Sequence, residues 1–183
     1  MENNNDKEII ALLQDPTRQR EGFELIVKKY SKPVYWQIRR IILSHDDAND
    51  ILQNTFIKAW MNLDYFRGNA QMITWLYRIA FNECISFQNN KRNQEKLSID
   101  DVDTNILNKL ESDPYFCGDE IQAKLMKAVH QLPAKQQMVF NLKYFKEMKY
   151  EEMSETFGTS VGALKASYHH AVKKIEDFLK KHL

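Results

Sequence analysis

Between positions 23 and 42 the apolar side chains fall at Phe23, Ile26, Val27, Tyr30, Val34, Ile38, Ile41 and Ile42, in steps of three and four. That spacing lays one stripe along a helix of 3.6 residues per turn and is incompatible with a strand, whose period is two. The rhythm returns after every break in the chain, and no stretch alternates apolar with polar residues. Only five glycines and four prolines punctuate 183 residues, so long helices are expected in place of many short strands.

Expected helices span residues 6–14, 17–42, 45–63, 73 to about 90, 121–131, 133–145, 150–157 and 160–180. Pro33 lacks an amide hydrogen and is expected to kink the second helix or divide it in two. Asp46 or Asp47 is expected to cap the third, where a carboxylate suits the positive helix end. Pro133 falls in the first turn of its helix, where a missing donor does no harm. Residues 91–120 have scattered apolar positions and contain DDVD and DP, the pattern of a flexible linker. The expected fold class is therefore all-α, with two small helical domains joined by a flexible acidic linker. The expected boundaries are 1–94 for the first domain, 95–119 for the linker and 120–183 for the second domain.

A net charge of +1 conceals an uneven distribution. Residues 1–95 carry +1, residues 96–120 carry −5 and residues 121–183 carry +5. A basic end segment behind an acidic spacer suits a polyanionic partner. The opening MENNNDKE lacks the basic-then-apolar pattern of a secretory signal, and no apolar run reaches the ~20 residues of a membrane span, so a cytoplasmic location is expected. Cys84 and Cys117 match no metal spacing and read as a small core residue and a linker thiol. No cofactor or metal is expected. No nucleophile, base and orienting group stand together, which argues against an enzyme and against a small-molecule substrate.

The last two helices have the proportions of a helix-turn-helix, with Gly158 at the turn and Ser160 placed to cap the second. In that motif the second helix enters the DNA major groove. Val161, Leu164, Tyr168 and Ile175 would anchor it. Gly162, Ala166 and Ser167 keep its outer face shallow, while Lys165, His169, His170, Lys173 and Lys174 supply charge and donors. A polar surface helix with no ligand would carry the same pattern.

The first half of the chain separates these readings. HDDANDILQNTFIKAWMNLDYFRGNAQMITWLYRIAFNECISFQNNKR, residues 45–92, resembles the second shared region of bacterial RNA polymerase sigma factors of the small, extracytoplasmic-function type. The shared pattern is D-D/A-x-D-ϕ-x-Q-x-x-F-ϕ-x-x-W, then F-R-G, then T-W-L-x-R-I-A-x-N. LPAKQQMVFNLKYFKEMKYEEMSETFGTSVGALKASYHHAVKKI, residues 132–175, is similar to their fourth region. The resemblance implies a subunit that binds core RNA polymerase and directs promoter-specific initiation. Asp47, Asp50, Gln53, Asn54 and Phe56 would then dock on the beta-prime clamp coiled coil, and the beta flap would be a second contact. Arg67, Gly68, Asn69, Thr74, Trp75, Arg78, Asn82, Lys91 and Arg92 would handle the minus-ten element, with residues 66–71 capturing an unstacked base. Ser160, Gly162, Lys165, Ala166, Ser167, His169, His170, Lys173 and Lys174 would read the minus-thirty-five duplex. A membrane-linked anti-sigma factor is a further partner that similar proteins imply.

Ser167, His170 and Val172 stand where arginine is frequent in similar proteins, which bears on promoter sequence and affinity. Two other readings are a helix-turn-helix regulator that acts without polymerase and a sigma-like decoy for an anti-sigma protein. The first leaves the pattern at residues 46–75 without a use, and the second leaves the basic face without one.

Overall fold

A computed structural model describes residues 3–66, 71–95 and 120–182. Residues 96–119 of the expected linker and most of the expected base-capturing loop, including Arg67, Gly68 and Asn69, lie outside them, while residues 91–95, given to the linker pattern, end a helix instead. Among the described residues every regular element is helical, as the apolar spacing requires. In chain order these are α1 (Asn3–Gln14), α2 (Gln19–Arg39), α3 (His45–Met61), a short 3-10 turn (Leu63–Tyr65) and α4 (Met72–Glu95). There follow α5 (Glu120–His130), α6 (Ala134–Phe140), a π-helical turn (Asn141–Phe145), α7 (Tyr150–Phe157) and α8 (Val161–His182). None of these helices is long and apolar enough to cross a membrane.

The central helix of the amino-terminal lobe is α2. Its stripe Ile26, Val34 and Ile38 is fully buried against α3 and α4. Of the two outcomes expected at Pro33, a kink or a division, the division does not occur: α2 continues from Gln19 to Arg39 with Pro33 inside. The loss is one amide donor, whereas dividing the helix would split the packing of Tyr30 and Val34 on either side. Arg39, buried to 3 % exposure, donates to the carbonyls of Ile42 and Leu43 and so closes the chain reversal after α2. In front, α1 is tied to α2 by Asp6, which accepts hydrogen bonds from Lys29 (2.8 Å) and from the Tyr30 hydroxyl. A glycine is required where the two helices meet. A Cβ on Gly22 would stand 3.0 Å from Leu12 Cβ and from Leu13 Cδ2.

The cap of α3 is Ser44, not Asp46 or Asp47. Its Oγ accepts from the Asp47 amide at 3.2 Å, while both aspartates sit in the first helical turn, where they favour the positive helix end. Ala48, Ile51, Thr55, Phe56 and Ala59 turn inward as their spacing predicts. Cys84 is a buried core thiol whose ionisation burial pushes far up, so it is inert.

The carboxyl-terminal lobe is built on α8. Leu164, Ala171 and Ile175 form its buried edge, and Val129, Leu132 and Phe140 pack against the last two. Leu164 joins Met138, Val139, Leu142, Met148 and Met153 in a core that is continuous with that of the amino-terminal lobe. The lobes therefore meet along a seam. Met138 and Leu142 line a small void together with Ile38, Ile41, Tyr77, Ala80, Phe81 and Cys84. Phe157 of α7 meets Phe81 of α4 edge-on, with ring centres 6.4 Å apart. The Arg40 guanidinium lies over the Phe145 ring at 4.6 Å and Lys146 Nζ lies 5.8 Å from the centre of the Tyr77 ring. Burial there pushes the Tyr77 phenol up to about 12.

Candidate nucleic-acid interface and docking groove

Gly158 closes α7 in the left-handed conformation, φ 61°, and its amide bonds back to Ser154 O. With no Cβ it adopts this geometry at little cost, and the chain reverses within three residues. Ser160 then caps α8, its Oγ accepting from the Ala163 amide at 3.3 Å. Thr156, buried at the end of α7, returns a hydrogen bond to the Glu152 carbonyl. These local devices set the angle between α7 and α8, and aromatic packing fixes it. Tyr168 stacks on Phe140 (6.0 Å, 15°) and meets Tyr150 edge-on at 6.4 Å. Burial, followed by the neighbouring Tyr168, holds the Tyr150 phenol above its ordinary range.

Held in this way, α8 leaves one face open. Ser160, Gly162, Lys165, Ala166, His169, His170, Lys173 and Lys174 are all exposed, and Ser167 is half-buried. The sequence-predicted recognition residues thus lie on one accessible strip. A Cβ on Gly162 would meet nothing within 4 Å, so backbone there can be approached closely. Lys165 Nζ lies 5.8 Å from the Tyr150 ring centre, which steers its charge toward the turn. The strip presents three lysines and two histidines around a shallow centre, a shape that admits a phosphate backbone and a groove floor.

On α4 the predicted minus-ten residues divide. Arg78 and Asn82 are exposed, one turn apart. Trp75 is half-buried, its ring 5.1 Å from Phe66. Thr74 is fully buried and donates from Oγ1 to Glu152 Oε1 of α7 at 2.8 Å. Contrary to expectation, it faces the seam and not open solvent, because α7 packs across the start of α4. Lys91 sits 3.6 Å from Asp47 Oδ2, pairing a residue expected at DNA with one expected at polymerase. Both side chains keep about a third of their exposure, so the pair is a weak one. The side chain of Arg92 lies outside the described residues.

Of the predicted docking residues, Asp50, Gln53 and Phe56 line a groove between α2 and α3, with Trp60 beside them and Phe23 and Val27 on the facing wall, whereas Asp47 and Asn54 are not part of its lining. Asp50, Gln53 and Asn54 are exposed. Phe56 is 8 % exposed, so core packing is its main role, and only its edge reaches the groove. Phe23 stands edge-on to Trp60 with ring centres 5.0 Å apart and to Phe56 at 6.4 Å. The sequence reading missed three further groups. Ile57, Trp60 and Met61 are exposed by 51, 42 and 71 % and form an apolar strip beside the polar residues. Their spacing of three and four was visible as a second stripe next to the inner one. A groove with aromatic walls, an apolar lip and the Asp50 carboxylate at one edge suits an amphipathic helix with a basic flank.

Known proteins repeat this combination. Residues 26–94 match the family described as Sigma-70 region 2, and residues 122–175 match Sigma-70, region 4. The ECF RNA polymerase sigma factor SigW of Bacillus subtilis is 30 % identical over 157 residues, covering 81 % of this chain and 84 % of that one. The ECF RNA polymerase sigma-E factor of Haemophilus influenzae is 27 % identical over 166 residues, covering 86 % of this chain and 87 % of that protein. Among solved structures, the sigma factor RpoE in complex with the anti-sigma factor NepR from Bartonella quintana shares the fold. Its TM-score is 0.67 at 22 % identity, with 86 % of this chain and 96 % of that one covered. The first matched region takes in α3, α4 and most of the groove, and the second takes in the helix-turn-helix. The chain therefore belongs to the ECF RNA polymerase sigma factors, a family of non-enzymatic initiation factors that direct polymerase to promoters.

Proposed function

We propose that this chain works in the cytoplasm, without catalysis of its own, as a dissociable subunit whose two lobes read two separate promoter elements. The groove between α2 and α3 receives the beta-prime clamp coiled coil, with Trp60 and Phe23 as apolar anchors and Asp50 beside them for a basic flank. The exposed strip of α8 enters the major groove of the minus-thirty-five element. Arg78 and Asn82 of α4 face the minus-ten element, and residues 66–71 take up an unstacked base. Residues 1–94 and 120–183 act as the two reading bodies, and the acidic stretch 95–119 spans the polymerase between them. Solved relatives in complex with anti-sigma factors support an inhibitor of that kind as a further partner.

The observation that carries this reading is the pairing in one chain of a DNA-shaped strip on α8 with an apolar docking groove on α2 and α3. A regulator acting alone has use for the first only. Modest affinity in each contact suffices, because polymerase holds both lobes and raises their effective concentration at the promoter. The tagged chain is expected to retain core polymerase on a column, whereas a self-sufficient regulator would retain DNA and no core. Lys173→Ala in the reconstituted complex is expected to lower the slope of log affinity against log salt by about 1. An unchanged slope removes Lys173 from the phosphate contacts.

A further inference from the structure

The seam joins two bodies that the proposed function needs apart. While it is closed, Thr74 is bonded to Glu152 and the apolar flank of α4 is covered by Met138, Leu142 and Phe157. The seam is also unusual in what it buries. Asn141 lies on the same helical face as Met138, Leu142 and Phe145 and is fully buried. Neither its Oδ1 nor its Nδ2 has a hydrogen-bond partner among the described residues. At the end of α5, His130 Nδ1 meets Gln137 Nε2 at 3.4 Å, but its Nε2 is enclosed and has no partner among the described residues.

We propose that the seam is a releasable latch, its grip kept weak by Asn141 and His130, whose polar atoms closure buries without partners. The inference rests on the reading that the two lobes act at separate promoter elements. Adhesion comes from apolar contact and from the Thr74–Glu152 hydrogen bond. Against it stand the orphaned groups, each of which loses its hydration in the closed form and recovers it when the lobes part. Cations gather from both sides as well. Arg40 of the amino-terminal lobe adds to burial in pulling the Lys146 ammonium below its ordinary range. Arg39 similarly adds to burial at His130. The π-helical turn begins at Asn141 itself, and such turns frequently lie at functional sites. Leucine in place of Asn141 would fill the same face without a polar group, so the sequence keeps the weaker seam.

The test replaces that residue in the full chain. Asn141→Leu is expected to favour the closed form by about five- to a hundredfold, the range that follows from relieving one such buried group. Because engagement of polymerase by both lobes at once draws only on the open fraction, while the groove on α2 and α3 is accessible in either form, apparent affinity for core polymerase falls by up to that factor while the melting temperature rises. Glu152→Ala, which removes the acceptor for Thr74, is expected to strengthen core binding several-fold, and the double variant to return toward the parent. An Asn141→Leu protein that melts lower than the parent overturns the premise that the amide is orphaned. One that melts higher yet binds core equally well overturns the latch. If the parent itself does not bind core, the functional reading fails separately. The latch is then judged by solution scattering, which must find Asn141→Leu the more compact.

Discussion

Acid should act on His130 before it acts on most of the chain. The imidazole ends α5, with its Nε2 enclosed even though the residue as a whole keeps some exposure. Burial first, and then the positive field of Arg39, pull its pKa down from 6.5 to about 4. Gln137 of α6 faces it without charge, and α8 packs on α5 through Ala171 and Ile175. The unfolded chain therefore binds a proton near pH 6.5 that the folded chain refuses until about pH 4. In that window the unfolded state holds more protons, so stability rises with pH and falls on acidification. Between pH 7.5 and pH 5 the loss attributable to this one group is at most about 2 kcal/mol. For a chain of this size that amounts to a drop of about 4–8 °C in melting temperature. The assay compares the parent with His130→Gln, which keeps a polar side chain but cannot titrate. The parent is expected to lose several degrees more than the variant on going from pH 7.5 to 5, with the two curves converging above pH 7. Parallel curves throughout would show that His130 is protonated in the folded protein, and the account of its enclosure would be wrong.

Other consequences are equally specific. Gly158→Ala places a Cβ on a residue at φ 61° and should cost about 1 kcal/mol, read by denaturant unfolding; an unchanged midpoint would mean that the turn relaxes to another geometry. Trp60→Ala should lower the melting temperature by only a few degrees, because the side chain is 42 % exposed and its main contact is the edge-on pair with Phe23, yet weaken core binding by tenfold or more as the loss of an interface anchor. Equal affinity, measured by fluorescence anisotropy, would detach the groove from polymerase docking.

Much of the fold was legible because each helix carries its own signal. Tyr150–Phe157 could be bounded from the sequence since Gly158 stops it and Ser160 restarts the chain. The strip on α8 could be read for the same reason: anchors at Leu164, Ala171 and Ile175 leave Lys165, His169 and Lys173 on the outside. Pro33 left a kink and a division both open in the sequence, and the division is absent because local propensity gives way where a whole stripe is buried. Ser44, Asp46 and Asp47 all offer cap oxygens within four positions, and only backbone geometry selects among them. The seam left no local trace. Thr74 and Glu152 are 78 residues apart, and Met138 and Leu142 carry the spacing of any buried helix face. A stripe shows that a face is covered, not which lobe covers it. The apolar lip of the groove was hidden for a related reason, since Ile57, Trp60 and Met61 adjoin the inward stripe and merge with it on a helical projection.

The central claim is that this chain, through two DNA-reading lobes, gives core polymerase the ability to start at particular promoters. Run-off transcription tests it most directly, with purified core enzyme and genomic fragments, in the presence and absence of the chain. The account predicts discrete transcripts that appear only when the chain is added and that weaken when Lys165 and Lys173 are both replaced by alanine. Core enzyme that gives the same transcripts with and without the chain, across all fragments, would contradict it.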